Sequence, residues 1–146
     1  MVKSKDKGSR WERDAVEILN AEYDHTWKKV PGSGALGTIL EIGELKADLV
    51  GRYYFLPFTF RGEAKTGYGG SKQLAIKKEW LEKVRQQADD AFMPEVPILI
   101  AKFSGSRSSI RYFVILDFEA FHSILSATDD LYKENLKMRE RLEHHE

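Results

Sequence analysis

Asp48 and, fifteen positions later, Glu63-Ala64-Lys65 put two carboxylates and an amine on segments that can lie side by side. The Asp sits in Leu45-Lys46-Ala47-Asp48-Leu49-Val50 and the second group in Phe58-Thr59-Phe60-Arg61-Gly62-Glu63-Ala64-Lys65. Apolar and β-favouring residues dominate both segments, and Gly51 and Pro57 punctuate the stretch between them, so both read as strands. Side chains i and i+2 of a strand share a face, so Glu63 and Lys65 emerge together while Ala64 turns to the core. An adjacent strand about 5 Å away brings Asp48 to the same spot. Two carboxylates and an ammonium on one patch suit a hard divalent cation and an activated water, the requirements of phosphodiester hydrolysis. Mg²⁺ is the expected ion, with Mn²⁺ able to substitute. Asp48 and Glu63 are the candidate ligands, and Lys65 would orient or deprotonate the water or stabilise the attacked phosphate. Structural readings stand beside these: a strand-end turn residue for Asp48, and an ion pair for Glu63 and Lys65.

Positioning these groups requires a particular order of elements. Trp11, Ala15, Ile18 and Leu19 recur at helical spacing and predict a first helix from Ser9 to about Glu22. Ser9-Arg10-Trp11-Glu12 fits a capping box, in which Glu12 reaches back to the N-cap amide. Strands are expected at Thr26–Val30, Leu45–Val50 and Phe55–Ala64, with a Gly-rich loop at Pro31–Thr38. Ile76, Trp80, Val84 and Ala88 place an amphipathic helix over about Ser71–Phe92, and Pro94 and Pro97 bracket the turn into strand Ile98–Phe103. Ile110–Leu116 returns as a strand. Asp117 would cap a short helix carrying Phe121, Ile124 and Leu125, and a separate charged helix would run from Asp129 to about Glu143. Trp80, Phe92 and Ile98–Ile100 are expected in the core. The order is α-β-β-β-α-β with a β-α-α extension. Residues 1–8 form a flexible basic N-terminus, 9–126 one domain and 127–146 a charged helical tail.

The order Glu12, Ser33, Asp48, Glu63, Lys65 resembles the PD-(D/E)xK nuclease superfamily. Lys7-Gly8 leading into Trp11-Glu12-Arg13-Asp14, the loop Pro31-Gly32-Ser33-Gly34, and the strand Pro97-Ile98-Leu99-Ile100-Ala101-Lys102-Phe103 are similar to its archaeal-type Holliday junction resolvase branch. The resemblance covers about Lys7 to Phe103. It implies a single-domain α/β restriction-endonuclease-like fold with a central mixed sheet flanked by helices. It also implies the main-chain carbonyl of Ala64 and the carboxylate of Glu12 as further metal ligands. Ser33 would lie near the scissile phosphate, and Arg13 and Lys29 would hold the DNA backbone. Part of the central helix and the segment after it would build a homodimer, since paired symmetric nicks in a four-way junction need two active sites. Products would carry 5′-phosphate and 3′-hydroxyl ends. Ala47 stands where the family motif has Pro, the loop between Ser33 and Asp48 is longer than usual in this branch, and no family motif follows Leu116. Ser33 equally suits a plain Gly-Ser turn. The alternatives are a restriction-type or repair nuclease acting on other DNA structures, a non-catalytic DNA-binding module on the same fold, and an RNA-processing endonuclease.

With 23 basic and 23 acidic residues the net charge is zero, so distribution decides whether a polyanion can bind. Lys3, Lys5, Lys7, Arg10 and Arg13 crowd the N-terminus; Lys28 and Lys29 lie on a strand; Lys72, Lys77, Lys78, Lys83 and Arg85 populate the central helix. Lys7, Arg10, Arg13, Lys29 and Lys72 are the candidate DNA contacts, each also explicable as part of a solvated face. The absence of Cys excludes disulfides and Cys-ligated zinc. His25, His122, His144 and His145 lack metal-ligand spacing. No small-molecule cofactor and no membrane are expected, no apolar run approaching a span. The expectation is a cytoplasmic protein, or one in the host cytoplasm if phage-encoded. Few Asn and Gln with many Lys, Arg and Glu lean toward a thermophilic source.

Overall fold

The computed structural model describes residues 4–21, 26–30, 48–67, 72–103 and 112–144. Among these, three helices and five strands run in the order α1 (Ser4–Leu19), β1 (Trp27–Lys29), β2 (Leu49–Arg52), β3 (Thr59–Thr66), α2 (Lys78–Asp89), β4 (Glu95–Lys102), β5 (Tyr112–Ile115) and α3 (Phe118–Glu143). The strands form one open mixed sheet in sequential order. β1–β2, β2–β3 and β4–β5 are antiparallel, while β3–β4 is parallel and is joined through α2. A parallel pair needs such a crossover, which places the helix against the sheet. This is the expected α/β architecture with the αβββαβ core order.

β3 is the central strand, and its alternation divides the molecule. Phe60 and Ala64 belong to one apolar cluster with Trp11 and Ala15 of α1, Trp27, Leu49, Val96, Ile98 and Ile100. Gly62 faces Leu49, Ile98 and Ile100 within that cluster. Arg61, Glu63 and Lys65 point the other way. Arg61 is buried and the Glu95 side chain is 8% exposed, and Arg61 donates to Glu95 through Nε and through Nη2 at 2.6 Å.

Trp27 anchors the β1 edge. Its backbone N–H donates to Asn20 Oδ1 at 2.8 Å and its carbonyl accepts from Asn20 Nδ2 at 2.9 Å, tying the strand to the chain leaving α1. Its ring stacks on Phe60 at 5.7 Å and lies directly over Gly51, its partner across the ladder. A Cβ at Gly51 would fall 2.3 Å from the indole. Gly51→Ala is therefore expected to cost about 1–3 kcal/mol through overpacking, measured as a lower denaturant midpoint with an unchanged slope.

Several boundaries differ from expectation. Helix α1 begins at Ser4, so Ser9 lies inside it and cannot be an N-cap. Ser9 Oγ instead accepts from Lys29 Nζ at 2.9 Å, which removes the capping-box reading of Glu12. α2 begins only at Lys78, behind an extended Lys77, because its buried stripe of Trp80, Val84, Gln87 and Ala88 starts there. Ile76 is accordingly outside the helix and exposed. β4 starts at Glu95 and contains Pro97. Pro97 is tolerated because β5 pairs only from Leu99 onward, leaving β4 with one neighbour at that point. Phe92 is 96% exposed, beyond the end of α2, and is not core. Trp80 and Ile98–Ile100 are buried as expected.

The two C-terminal helices are one helix of 26 residues. Asp117 caps it, accepting from Ala120 N at 2.7 Å. No Gly or Pro interrupts the segment, and Thr128 Oγ1 donates to the Ile124 carbonyl at 2.8 Å across the expected break.

Candidate active site

The site lies at the C-terminal end of β3, where β2 begins. The β2–β3 register pairs Leu49 with Gly62 and Val50 with Arg61, which sets Asp48 beside Glu63 at the next rung. Asp48 Oδ2 accepts from the backbone N–H of Ala64 at 3.1 Å, and the Asp48 carbonyl accepts from Val30 N at 2.9 Å. The first bond holds the carboxylate against the strand that carries the other two groups.

Glu63 is 2% exposed. Its Oε1 receives two ammonium groups, Lys65 Nζ at 2.8 Å and Lys83 Nζ at 2.9 Å. Its Oε2 is buried without a hydrogen-bond partner among the described residues. Lys65 also lies over the face of the buried Trp80, 5.3 Å from the ring centre, so α2 supplies an aromatic floor to its amine.

Glu12 reaches the site's edge from α1 and pairs with Lys29 Nζ at 2.6 Å. The electrostatics join the three acids. Burial pushes the Asp48 carboxyl up to about 6, and the charges of Glu63 and Glu12 add to the rise. The Ala64 amide and the Lys65 ammonium oppose it.

Asp48, Glu63, Ala64 and Lys65 are thus brought together, with Glu12 and Lys29 beside them. Arg10 and Arg13 are exposed on α1, and Lys72 is exposed in the turn before α2. Lys7 lies within α1, while Ser33 and its loop are outside the described residues, as are Leu45–Ala47. Sequence reasoning placed Lys83 among the basic residues of the central helix but not at Glu63. Its one signal was a lysine three positions after Trp80, on the helix that crosses over β3.

Among the described residues, no group of three or more His, Cys, Asp or Glu side chains is gathered closely enough to hold a metal by protein ligands alone. No described helix is long and apolar enough to cross a membrane.

A family model described as "Phage putative PDDEXK endonuclease" matches residues 3–144. No curated protein and no solved structure matches the chain.

Proposed function

This chain belongs to the phage PDDEXK endonuclease family, and on that premise we propose that it is a Mg²⁺-dependent, structure-selective endonuclease that nicks four-way DNA junctions as a homodimer. The observation that carries the metal-dependent chemistry is the buried Oε2 of Glu63, which has no hydrogen-bond partner among the described residues, beside an Asp48 carboxyl that burial and the Glu63 charge raise. A hard dication would satisfy that oxygen and relieve the repulsion between the two carboxylates. Mg²⁺ is commonly held by only one or two carboxylates, with waters and substrate phosphate oxygens completing its shell, so a pair is a sufficient protein contribution.

In this reading Asp48, Glu63 and the Ala64 carbonyl hold the ion. Glu12, paired with Lys29, would be a further ligand. When bound, the ion polarises the phosphate and lowers the pKa of an attacking water. Lys65 as an ammonium would orient that water and neutralise charge on the phosphate; it could take the water's proton only after giving its own proton to solvent. The backbone N–H of Ala64 keeps the Asp48 carboxylate aimed at the site. Exposed Arg10, Arg13 and Lys72, together with Lys7 and Lys29, supply the backbone contacts of a shape-reading protein, and Ser33 is assigned to the scissile phosphate.

Pairing of two copies is supported by Phe92 and Met93, 96% and 64% exposed in the segment after α2. Two adjacent large apolar side chains in water are the kind of surface a second copy covers.

The test is a labelled synthetic four-way junction beside its matching linear duplex, with Mg²⁺ or with chelator. Paired symmetric nicks in the junction alone, lost with chelator, are expected. Equal cutting of linear duplex would reassign the substrate to other DNA structures, and junction binding without cleavage would favour a binding module.

A further inference from the structure

Two ammonium groups share Oε1 of Glu63, and only one of them is needed to neutralise it. We propose that Lys83 is a positioning residue that holds Glu63 throughout the reaction and thereby frees Lys65 to act on the substrate. The inference rests on the nuclease reading given above. A carboxylate 2% exposed requires a cation at close range, because an uncompensated buried charge is strongly unfavourable. Were Lys65 the sole counter-ion, it could turn to water or phosphate before the cation is bound only by stripping Glu63 of its partner. Lys83 removes that conflict. It contacts the same oxygen at 2.9 Å from a different element, α2, so its hold does not depend on what the β3 lysine does.

The two lysines also differ in where they stand. Lys65 is on the strand that carries Glu63, next to the Ala64 amide that binds Asp48, and its charge is among those felt at Asp48. Its amine pairs with Glu63 at 2.8 Å and lies over the Trp80 ring. Lys83 has a side chain 52% exposed and bends inward from the helix surface to reach Glu63. A long, half-solvated lysine directed at a buried acid has traded freedom in water for one contact. With both cations on Oε1, the buried Oε2 has no hydrogen-bond partner among the described residues. Lys83 therefore sets which oxygen Glu63 offers.

The test compares Lys83→Met and Lys83→Arg with the wild type by three readouts: the single-turnover rate at saturating DNA, the DNA affinity, and calorimetric titration of DNA-free protein with Mn²⁺. Thermal melts confirm that each variant is folded. Lys83→Met is expected to lower the saturated rate about tenfold or more with DNA affinity unchanged, and Lys83→Arg to restore most of it. Mn²⁺ should bind DNA-free Lys83→Met severalfold more tightly, since a positive charge near the cation site is gone. An unchanged rate overturns the proposal. So does a loss confined to DNA affinity with a shallower salt dependence, which would make Lys83 a phosphate contact. If the wild type cuts none of the DNA substrates, the nuclease reading fails instead. The Mn²⁺ titration then decides alone: tighter binding by Lys83→Met sustains its placement at the cation site, and unchanged binding removes it.

Discussion

Asp48→Asn is expected to reduce cleavage about a thousandfold while making the cation-free protein more stable at neutral pH. The loss follows from removing one of two carboxylates that hold the charge-stabilising ion, an interaction of several kcal/mol in the transition state. The gain follows from proton linkage. The Asp48 carboxyl is raised from 3.8 to about 6 in the folded chain, chiefly by burial and then by Glu63. Below about pH 4 it is protonated in both folded and unfolded states and contributes nothing to pH dependence. Between about 4 and 6 the unfolded chain gives up its proton while the folded chain keeps it, so stability falls as pH rises. Above that window the cost is constant. The shift corresponds to about 1–3 kcal/mol, allowing for the partial solvation of the side chain. Asn retains an oxygen to accept from Ala64 N and carries no charge, so the variant lacks the fall. Denaturant melts in chelator should show wild type and variant converging near pH 4 and diverging up to about pH 6. A difference independent of pH would mean that Asp48 is not strained by its neighbours. Mg²⁺ should narrow the gap at neutral pH by stabilising only the wild type.

Arg61→Ala is expected to cost about 3–5 kcal/mol, the penalty for leaving a buried carboxylate without its partner. The Arg61 and Glu95 side chains are covered on neighbouring parallel strands, 2% and 8% exposed, where Thr59 opposes Glu95 and Arg61 opposes Pro97. The guanidinium reaches back diagonally and engages both carboxylate oxygens, a two-point geometry Lys cannot reproduce. Replacing the pair together, as Arg61→Met with Glu95→Leu, should recover most of the loss, because two well-packed apolar side chains need no desolvation. Equilibrium unfolding of the two single variants and the double variant gives the coupling directly. If the loss in the double variant equalled the sum of the losses in the two single variants, the pair would not be coupled.

The reach of sequence reasoning is clear from particular residues. The convergence of Glu63 and Lys65 follows from period-two alternation alone, and their bond at 2.8 Å agrees with it. The approach of Asp48 required only that its strand pair with β3, which the ladder does. Asp117 announced its helix because an N-cap is a local device. What escaped depends on register between elements distant in sequence. Lys83 meets Glu63 across 20 positions and Arg61 meets Glu95 across 34. Nothing in the chain near Arg61 tells that this charge is interior. Ends of helices escaped for another reason. The start of α1 lies before its first apolar residue, and α2 starts where there is an apolar stripe to bury, not where propensity first permits. The Ser33 assignment falls outside the described residues.

The division of β3 into two faces has a consequence for how this strand can vary over generations. Phe60, Gly62 and Ala64 are limited by volume, since each fits among the apolar side chains of the other elements. Arg61, Glu63 and Lys65 are limited by charge, since each answers another ionised group. The segment thus behaves as two interleaved sequences, one tolerant of chemistry that keeps its size, the other tolerant of size that keeps its chemistry. A single-residue insertion or deletion anywhere within it would exchange the two sets, sending ions into the apolar layer and aromatic rings to the acids. Drift in β3 can proceed by substitution, but hardly at all by change of length.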